Sequence, residues 1–344
     1  MIILGIETSC DETSAAIVEK TTDNTLILHA NTLATSLALH AKTGGIIPEM
    51  AAREQVKYML PVLEDVCQKA FSCSLDKANK RIDAIAVTYG PGLIGSLLIG
   101  VETARTLALV WNKPLIPINH MLGHIYANWL PSEPTQSTLP TFPALALIVS
   151  GGHTDLLYLE DHGTYQLLGG TRDDAAGEAF DKIGRLMGMS YPAGPEIEKR
   201  SKLAGGKRID LPTPLKYSDD FDFSFSGLKT AALREVQKNE VTEEFKNMMS
   251  ASVLDKIVEV LVYKVIKAAK QYPAKSFLLG GGVAANQTLC DAFSKACLQE
   301  GLQFFVPERK LCTDNGAMIA AAAALLGKEV PFSDVSANPE LYFD

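Results

Sequence analysis

Two histidines, His120 and His124, lie four residues apart in segment 119–126, directly after the short apolar run 115–118. If a helix begins near His120, this spacing places both imidazoles on one face, about one turn apart. Two imidazoles placed in this way have the geometry to bind the same metal ion through their nitrogen atoms. An exposed histidine pair at a helix start has the same spacing, so the pair alone leaves both interpretations open.

The composition is that of a globular enzyme with two domains. The chain has 344 residues, of which 47% are hydrophobic and 21% charged, enough to bury a substantial core. Residues 1–7 lack a basic flank and reach a carboxylate, which predicts a buried first strand and not a signal peptide. The apolar run 318–326 is too short to span a bilayer, so we expect a cytoplasmic protein with no membrane partner.

Cysteine usage and net charge indicate the cellular compartment and the kind of surface that this protein has. The six cysteines are scattered without a CxxC pair, which is typical of reduced thiols in a cytosolic chain. A net charge of −8 argues against a surface that binds nucleic acid everywhere. The basic cluster at residues 199–208 fits either a solvated helix end or a local phosphate-contacting strip.

The two halves of the chain repeat one order of elements: strand, tight hairpin, strand, strand, helix, strand, helix, strand, helix. This order is that of the duplicated actin/Hsp70/sugar-kinase (ASKHA) architecture, a two-lobed α/β fold with a central ligand cleft. The predicted strands are residues 2–6, 15–18, 25–31, 82–88 and 115–118, and then 144–149, 156–159, 165–168, 276–279 and 303–306. The main predicted helices are residues 48–67, 95–111, 174–187 and 285–300.

The same repeat predicts the domain boundaries. Residues 1–130 form the N-terminal lobe, the Pro/Ser/Thr-rich segment 131–143 connects, and residues 144–344 form the C-terminal lobe. Residues 190–242, rich in Pro, Asp and Gly, break the repeat and are predicted to be an insertion.

The hairpin turn of each lobe is expected to face the ligand. In the second half, residues 150–152 offer backbone amides free of side-chain obstruction, which suits a phosphate, although an ordinary glycine turn has the same sequence. In the first half, adjacent Asp11 and Glu12 are poor choices for stability alone but suit a metal–phosphate complex or an amine nucleophile. The glycine-rich run 280–286 ends in Asn286, which is able to hydrogen-bond a sugar or base.

The repeat also supplies a third candidate metal ligand. The histidines follow the last strand of the first half, and the equivalent place in the second half contains Asp314, at the start of the last helix. Two lobes facing each other would bring His120, His124 and Asp314 together, and this donor set suits Fe(II) or Zn(II). A helix N-cap is the alternative role for Asp314, because a long apolar helix follows.

Six motifs are spread over residues 1 to about 327. They are Gly5-Ile-Glu-Thr-Ser-Cys-Asp-Glu-Thr13, Gly90-Pro-Gly-Leu93, Val149-Ser-Gly-Gly-His-Thr154, Asp173-Asp-Ala-Ala-Gly-Glu-Ala-Phe-Asp-Lys182, Phe223-Ser-Phe-Ser-Gly-Leu-Lys-Thr230 and Cys312-Thr-Asp-Asn-Gly-Ala-Met-Ile319. Together they resemble the bacterial tRNA N6-adenosine threonylcarbamoyltransferases, the TsaD family.

The resemblance implies an activity and a set of ligands. The activity is transfer of a threonylcarbamoyl group from threonylcarbamoyl-AMP to N6 of adenosine 37 in tRNAs that read ANN codons, which gives t6A and AMP. By resemblance, His120, His124 and Asp314 bind one divalent metal per subunit, usually described as iron (Fe2+), with zinc (Zn2+) as the alternative. The residues implied to hold the donor are Ile148, Val149, Ser150, Gly151, Gly152, Asp181, Gly194 and Asn286.

A mechanism and partners accompany this resemblance. Adenine N6 is a weak nucleophile, so a carboxylate that takes its proton would help, and Asp11 or Glu12 is the candidate catalytic residue. Besides tRNA and threonylcarbamoyl-AMP, the resemblance implies two protein partners: a non-catalytic paralogue of the same fold and a P-loop ATPase. This chain has no Walker A lysine of its own.

The sequence departs from the family pattern at three places. The family commonly has His-His-Met-Glu-Gly-His, where this chain has Asn119 and Leu122 in place of the first His and the Glu. Both implied histidine ligands are retained, and these two replacements are expected to change the polarity around them. Ala193 replaces a glycine of Tyr-Pro-Gly-Gly-Pro, and its methyl group would constrain a tight turn or narrow the substrate pocket.

Three other functions compete with this interpretation. A metal-dependent peptidase of the HExxH kind needs a glutamate beside the first histidine, and Met121 stands there. An ATP-dependent small-molecule kinase would use the same fold. An inactive scaffold for a partner protein would not need the metal ligands or the cleft turns that the chain retains.

Overall fold

Each half of the chain builds one five-stranded mixed sheet, and the two sheets have the same strand order. The computed structural model describes residues 1–131 and 138–343. It divides the chain into unit 1, Met1–Leu139 with Pro307–Asp344, and unit 2, Pro140–Val306. Residues 132–137, within the predicted connecting segment 131–143, lie outside the described residues.

Unit 1 is a sheet covered by helices. Its elements are β1 (Ile2–Glu7), β2 (Glu12–Lys20), β3 (Leu26–Thr35), α1 (Leu37–Thr43), α2 (Pro48–Phe71), α3 (Leu75–Ala78), β4 (Ala84–Gly90), α4 (Ile94–Trp111), β5 (Leu115–Asn119) and α5 (His120–Tyr126). The strand order is β3-β2-β1-β4-β5. The β1 strand is antiparallel to β2 and parallel to β4, and β4 is parallel to β5.

Unit 2 repeats this sheet. Its elements are β6 (Ala144–Val149), β7 (Thr154–Asp161), β8 (Thr164–Gly170), α6 (Ala176–Leu186), α7 (Gly194–Ser201), α8 (Ser226–Lys238), α9 (Glu243–Ala269), β9 (Ser276–Gly280), α10 (Gln287–Glu300) and β10 (Gln303–Phe305). The order β10-β9-β6-β7-β8 is that of unit 1 read from the other edge. The predicted duplicated α/β fold is therefore confirmed.

The last segment of the chain belongs to unit 1. It forms α11 (Arg309–Cys312) and α12 (Gly316–Leu326), which the sequence-based boundaries placed in a C-terminal lobe of residues 144–344. Glycines explain the difference: a Cβ atom on Gly5 of β1 would lie 2.4 Å from the carbonyl oxygen of Gly316. Because neither residue has a side chain, α12 packs backbone to backbone on the first sheet.

The α2 and α4 helices of unit 1 pack on apolar side chains of this sheet. The core joins Leu63 of α2 and Val101 of α4 to Leu4 and Ile6 of β1 and Val87 of β4. The α4 helix is long and apolar enough to cross a membrane by length and composition alone. Helices in the core of a protein can have the same length and apolar composition. One face of α4 is buried in this core.

Candidate metal centre and nucleotide-binding region

The two histidines are presented by the junction between β5 and α5. As predicted, the helix begins at His120, and the Asn119 side chain caps it by accepting a hydrogen bond from the Met121 amide at 2.8 Å. Only 7% of His120 and 1% of His124 is exposed. The interpretation of an exposed pair at a helix start is therefore wrong.

Asp314 lies beside both imidazoles. Its Oδ1 is 3.2 Å from Nε2 of His124 and 3.5 Å from Nε2 of His120. Potential donor atoms of the three side chains all lie within 4.8 Å of one another. The N-cap interpretation of Asp314 is wrong, because Asn315 caps α12 by accepting from the Met318 amide at 3.0 Å.

The three side chains come from one packing unit. The sequence predicted that Asp314 would approach from the opposite lobe, whereas residues 307–344 pack in unit 1 beside the histidines. Gly123, between the two histidines, permits this approach, since a Cβ atom there would lie 2.8 Å from Ile319 Cδ1 of α12. The α5 and α12 helices therefore pack closely just where the loop before α12 carries Asp314.

The charges around His120 favour a cation. Burial lowers the pKa of His120, but the negative charges of Asp314 and Glu7 outweigh it and raise that pKa to about 9. Nδ1 of buried His124 has no hydrogen-bond partner among the described residues, and its Nε2 faces Asp314 without hydrogen-bond alignment. Two imidazoles and a carboxylate with unsatisfied buried nitrogens fit a divalent transition metal.

Asp11 and Glu12 lie near this cluster but differ in their surroundings. The β2 strand begins at Glu12, so the turn is shorter than the predicted one. Burial, and then the charges of Asp314 and Asp11, raise the pKa of Glu12 well above its usual range. One oxygen of buried Asp11, Oδ2, has no hydrogen-bond partner among the described residues. The carboxyl groups of Asp11 and Glu12 therefore lie where they can interact with a charged ligand or accept a proton.

The turn that carries these carboxyl groups is held by a glutamine that the sequence did not single out. The side-chain amide of Gln55, fully buried in α2, donates to the carbonyl oxygens of Thr8, Cys10 and Glu12 at 3.3, 3.1 and 2.8 Å. Hydrogen bonds from one side chain to three carbonyl oxygens hold the backbone of this turn in place. No periodicity or motif distinguishes Gln55 from an ordinary polar residue of a helix.

Two departures from the family pattern have structural roles. Asn119 caps α5 and also donates from Nδ2 to the carbonyl oxygen of Tyr342 at 3.1 Å, so it ties the histidine helix to the C-terminal segment. Leu122 is 8% exposed and packs in the interior. Met121, which stands where HExxH peptidases have their glutamate, is fully buried and supplies no base.

In unit 2, the glycine turn follows β6. Ile148 and Val149 are fully buried, so a ligand would meet their backbone only at the strand end. Within the turn, Ser150 donates from its amide to His153 O at 2.9 Å, and Gly152 donates to Ser150 Oγ at 3.3 Å. Gly151 and Gly152 are exposed, with nothing within 4 Å of an added Cβ atom, so this backbone is open to a ligand.

The α6 helix connects this turn to two further predicted residues. Its first turn binds Ser150, because the Gly177 amide donates to Ser150 O at 3.1 Å. Asp181, one turn later, accepts from the Ala193 amide at 2.7 Å, beside Gly194. Burial, only partly offset by these backbone donors, raises the pKa of Asp181. The Asp181 carboxyl group therefore already organises the start of α7.

The Ala193 methyl group has a place in the interior. Ala193 is 1% exposed, and a Cβ atom on Gly184 of α6 would lie 2.2 Å from the Ala193 Cβ. Its φ of −88° is ordinary for any residue. The expected strain in the turn is absent from this residue, and its methyl group packs on α6.

Asn286 lies at the end of a glycine-rich connection after β9. Its side-chain oxygen caps α10 by accepting from the Leu289 amide at 3.0 Å, which leaves its NH2 group as the donor for a ligand. Gly281 in this connection has a φ of +91°, and a Cβ atom there would lie 2.4 Å from Val149 O. Close approach at Gly281 therefore joins the Asn286 region to the end of β6.

The basic cluster at residues 199–208 is largely neutralised. Within unit 2, Arg200 pairs with Glu196 and Glu243, Lys202 with Glu198, Lys207 with Glu244 and Arg208 with Asp255. Of the two interpretations of this cluster, these pairs favour the solvated helix end over the phosphate-contacting strip.

The fold and the site define a class of protein. The structure is similar to HypF of T. kodakarensis (TM-score 0.61, 13% identity, 95% of this chain and 47% of that one). It is also similar to component A of (R)-2-hydroxyglutaryl-CoA dehydratase of Acidaminococcus fermentans (TM-score 0.51, 14% identity, 95% and 100%). These likenesses show the ASKHA-type α/β fold, here with a two-histidine, one-carboxylate cluster in unit 1.

The chain belongs to the TsaD family, tRNA N6-adenosine threonylcarbamoyltransferase, whose model matches residues 28–321. Relatives of that name are 46% identical in Moorella thermoacetica (98% of this chain, 95% of the relative) and 45% identical in Burkholderia ambifaria (94% and 92%). A third, from Staphylococcus carnosus, is 42% identical (98% and 94%). The family predicted from the six motifs is confirmed.

Proposed function

We propose that this chain transfers the threonylcarbamoyl group from threonylcarbamoyl-AMP to N6 of adenosine 37 in tRNAs that read ANN codons, giving t6A and AMP. Membership of the family over nearly the whole chain supports the activity. The observation that carries the chemistry is the cluster of the buried His120 and His124 with the partly exposed Asp314 in unit 1.

The proposed metal ligands are these three side chains. Fe(II) is the metal that we propose first, and Zn(II) fits the same donors. When bound, a divalent cation supplies stabilisation of negative charge on the donor's oxygens. The buried carboxylate of Glu7 and the partly exposed carboxylate of Asp314 make the surroundings of His120 negative, which supports binding of a cation.

The transfer is written as a direct displacement. The N6 amine forms a bond to the carbamoyl carbon, the bond from that carbon to the phosphate oxygen breaks, and AMP leaves with the electron pair. The N6 proton passes to a carboxylate, which becomes a carboxylic acid, and for this group we propose Glu12 with Asp11 beside it. The position of Glu12 supports this role, because the charges of Asp314 and Asp11 act on its carboxyl group and so place it beside the proposed metal ligands.

The donor's adenylate part is assigned to unit 2. The exposed backbone of Gly151 and Gly152 suits the phosphate, with Ile148, Val149 and Ser150 forming the strand end and turn before it. The Asn286 NH2 group suits the sugar or base. Asp181 supports Gly194 through the start of α7, so we propose that it acts by holding that backbone.

The test is mass spectrometry of tRNA nucleosides after incubation with threonylcarbamoyl-AMP. We expect t6A with the metal-loaded protein, at least a tenfold loss of t6A after chelation, and recovery on adding back Fe(II) or Zn(II). Full transfer by protein shown to be free of metal would contradict the metal role. Absence of t6A with each metal and with the protein partners present would contradict the activity.

An exposed apolar face on unit 1 supports a protein partner. The helices approach one another there, since a Cβ atom on Gly95 would lie 3.3 Å from the Ala52 Cβ. The side chains of this face are Val56 and Leu60 of α2, 62% and 64% exposed, and Ile94 and Leu98 of α4, 49% and 44% exposed. Apolar side chains at i and i+4 on two adjacent helices suit another helical surface.

We propose that the α2–α4 face binds the non-catalytic paralogue. The variant carrying both Leu60→Asp and Leu98→Asp is expected to bind purified paralogue at least tenfold more weakly, because charges enter the apolar contact. Sedimentation of the mixed proteins measures this. Leu298→Asp on α10, where Leu298 is 82% exposed, is the matched control. Equal binding by the double variant and the control would contradict the assignment.

Family membership alone supports the P-loop ATPase partner and a cytoplasmic location.

A further inference from the structure

Glu7, at the end of β1, is a fully buried acidic side chain next to the candidate metal centre. Its Oε1 accepts from the Ser9 amide at 2.6 Å, and its Oε2 accepts from the Thr88 hydroxyl. The same Oε2 lies 3.1 Å from Nδ1 of His120. The parallel strands β1, β4 and β5 bring these groups together, because their carboxyl ends lie at one edge of the sheet.

Two groups compete for Nδ1 of His120. Glu7 Oε2 and Ser9 Oγ both lie 3.1 Å from this nitrogen. An ionised carboxylate only accepts hydrogen bonds, whereas a hydroxyl group either donates or accepts. Glu7 therefore requires a proton on Nδ1, and Ser9 by itself would permit either form of the ring.

The other nitrogen of His120 is the one that faces Asp314. Its Nε2 is 3.5 Å from Asp314 Oδ1, on the side where His124 also lies. A neutral imidazole with its proton on Nδ1 leaves a lone pair on Nε2 to bind a metal. The Ser9 amide and the Thr88 hydroxyl hold both oxygens of Glu7, so the carboxylate keeps its orientation towards the ring.

We propose that Glu7 is a positioning residue of the metal centre: it fixes the proton of His120 on Nδ1 and so directs Nε2 to the metal. This inference rests on the proposed metal site. Glu7→Gln makes one of these contacts unfavourable, because the amide presents its NH2 group either to the Ser9 amide or to His120 and Thr88. We expect a tenfold to hundredfold loss of metal affinity.

The test measures Zn2+ affinity of the full chain by competition with a chromophoric chelator. The variants are Glu7→Gln and Ser9→Ala, and Glu198→Gln is the matched control. Glu198 is also a buried glutamate, 7% exposed, but it accepts from the Gln287 amide in unit 2. Weaker binding by Glu7→Gln, with Ser9→Ala and Glu198→Gln near wild type, supports the proposal.

Other outcomes overturn it. If wild type binds Zn2+ and Glu7→Gln binds it equally well, Glu7 does not position His120, and the proposed metal site stands. If wild type binds no Zn2+, the metal site fails and this inference fails with it. Should Glu7→Gln not fold, nitrogen NMR of the Zn2+-loaded wild type decides: a protonated Nδ1 on His120 supports the proposal, and a metal-bound Nδ1 overturns it.

Discussion

Asp314→Ala is expected to abolish stoichiometric metal binding and to lower t6A formation by at least about a hundredfold. The substitution removes the carboxylate of the cluster, whose Oδ1 lies 3.2 Å from His124 Nε2 and 3.5 Å from His120 Nε2. The α12 helix keeps its cap, because Asn315 supplies it. Metal analysis of the purified variant and nucleoside mass spectrometry measure the two effects.

Two further variants define the cause of this loss. Asp314→Asn keeps the size of the side chain but not its charge, so we expect weakened binding and partial transfer. Asp334→Ala removes an exposed carboxylate from the same unit and is expected to behave like wild type. An Asp314→Ala protein that holds one equivalent of metal and transfers at the wild-type rate would be incompatible with the proposed ligand set.

Gly281→Ala is expected to reduce affinity for AMP, the adenylate part of the donor, by at least tenfold. The φ of +91° disfavours alanine by about 1 kcal/mol, and the new Cβ atom would lie 2.4 Å from Val149 O. Relief of that overlap costs about 1–3 kcal/mol and moves the end of β6 or the connection to Asn286. Titration calorimetry with AMP and thermal unfolding measure binding and stability separately.

Gly301→Ala is the matched control for this prediction. Gly301 has a φ of +71° at the end of α10, but nothing lies within 4 Å of an added Cβ atom. We expect a loss of stability of about 1 kcal/mol from the backbone alone and unchanged AMP binding. If the two variants bound AMP equally well, the backbone contact between Gly281 and Val149 would have no role in holding the adenylate.

Much of the fold was predictable because it depends on local pattern. Alternating and continuous apolar runs located all ten strands of the two sheets, and the repeat gave their common order. The partner of the last helix was not predictable in this way. Contact of α12 with the first sheet depends on Gly5 and Gly316 meeting across the sequence, and two isolated glycines carry no such signal.

The candidate site shows the same limit. The spacing of His120 and His124 predicted their common face, and the repeat indicated Asp314, although from the wrong lobe. The contributions of Gln55 and Gly123 arise only from tertiary packing: one side chain reaches three carbonyl oxygens, and one missing side chain lets two helices meet. Either residue would be unremarkable in a helix considered alone.

The return of residues 307–344 to unit 1 has a consequence for the order of events during synthesis. His120 and His124 are synthesised before unit 2, whereas Asp314 is synthesised after it. Tyr342, whose carbonyl oxygen accepts a hydrogen bond from Asn119, also follows unit 2. A nascent chain therefore lacks the carboxylate of the proposed ligand set until unit 2 has been synthesised. Binding of a metal by all three proposed ligands would therefore follow synthesis of unit 2, and a chain released before residue 314 would carry the histidine pair without the aspartate.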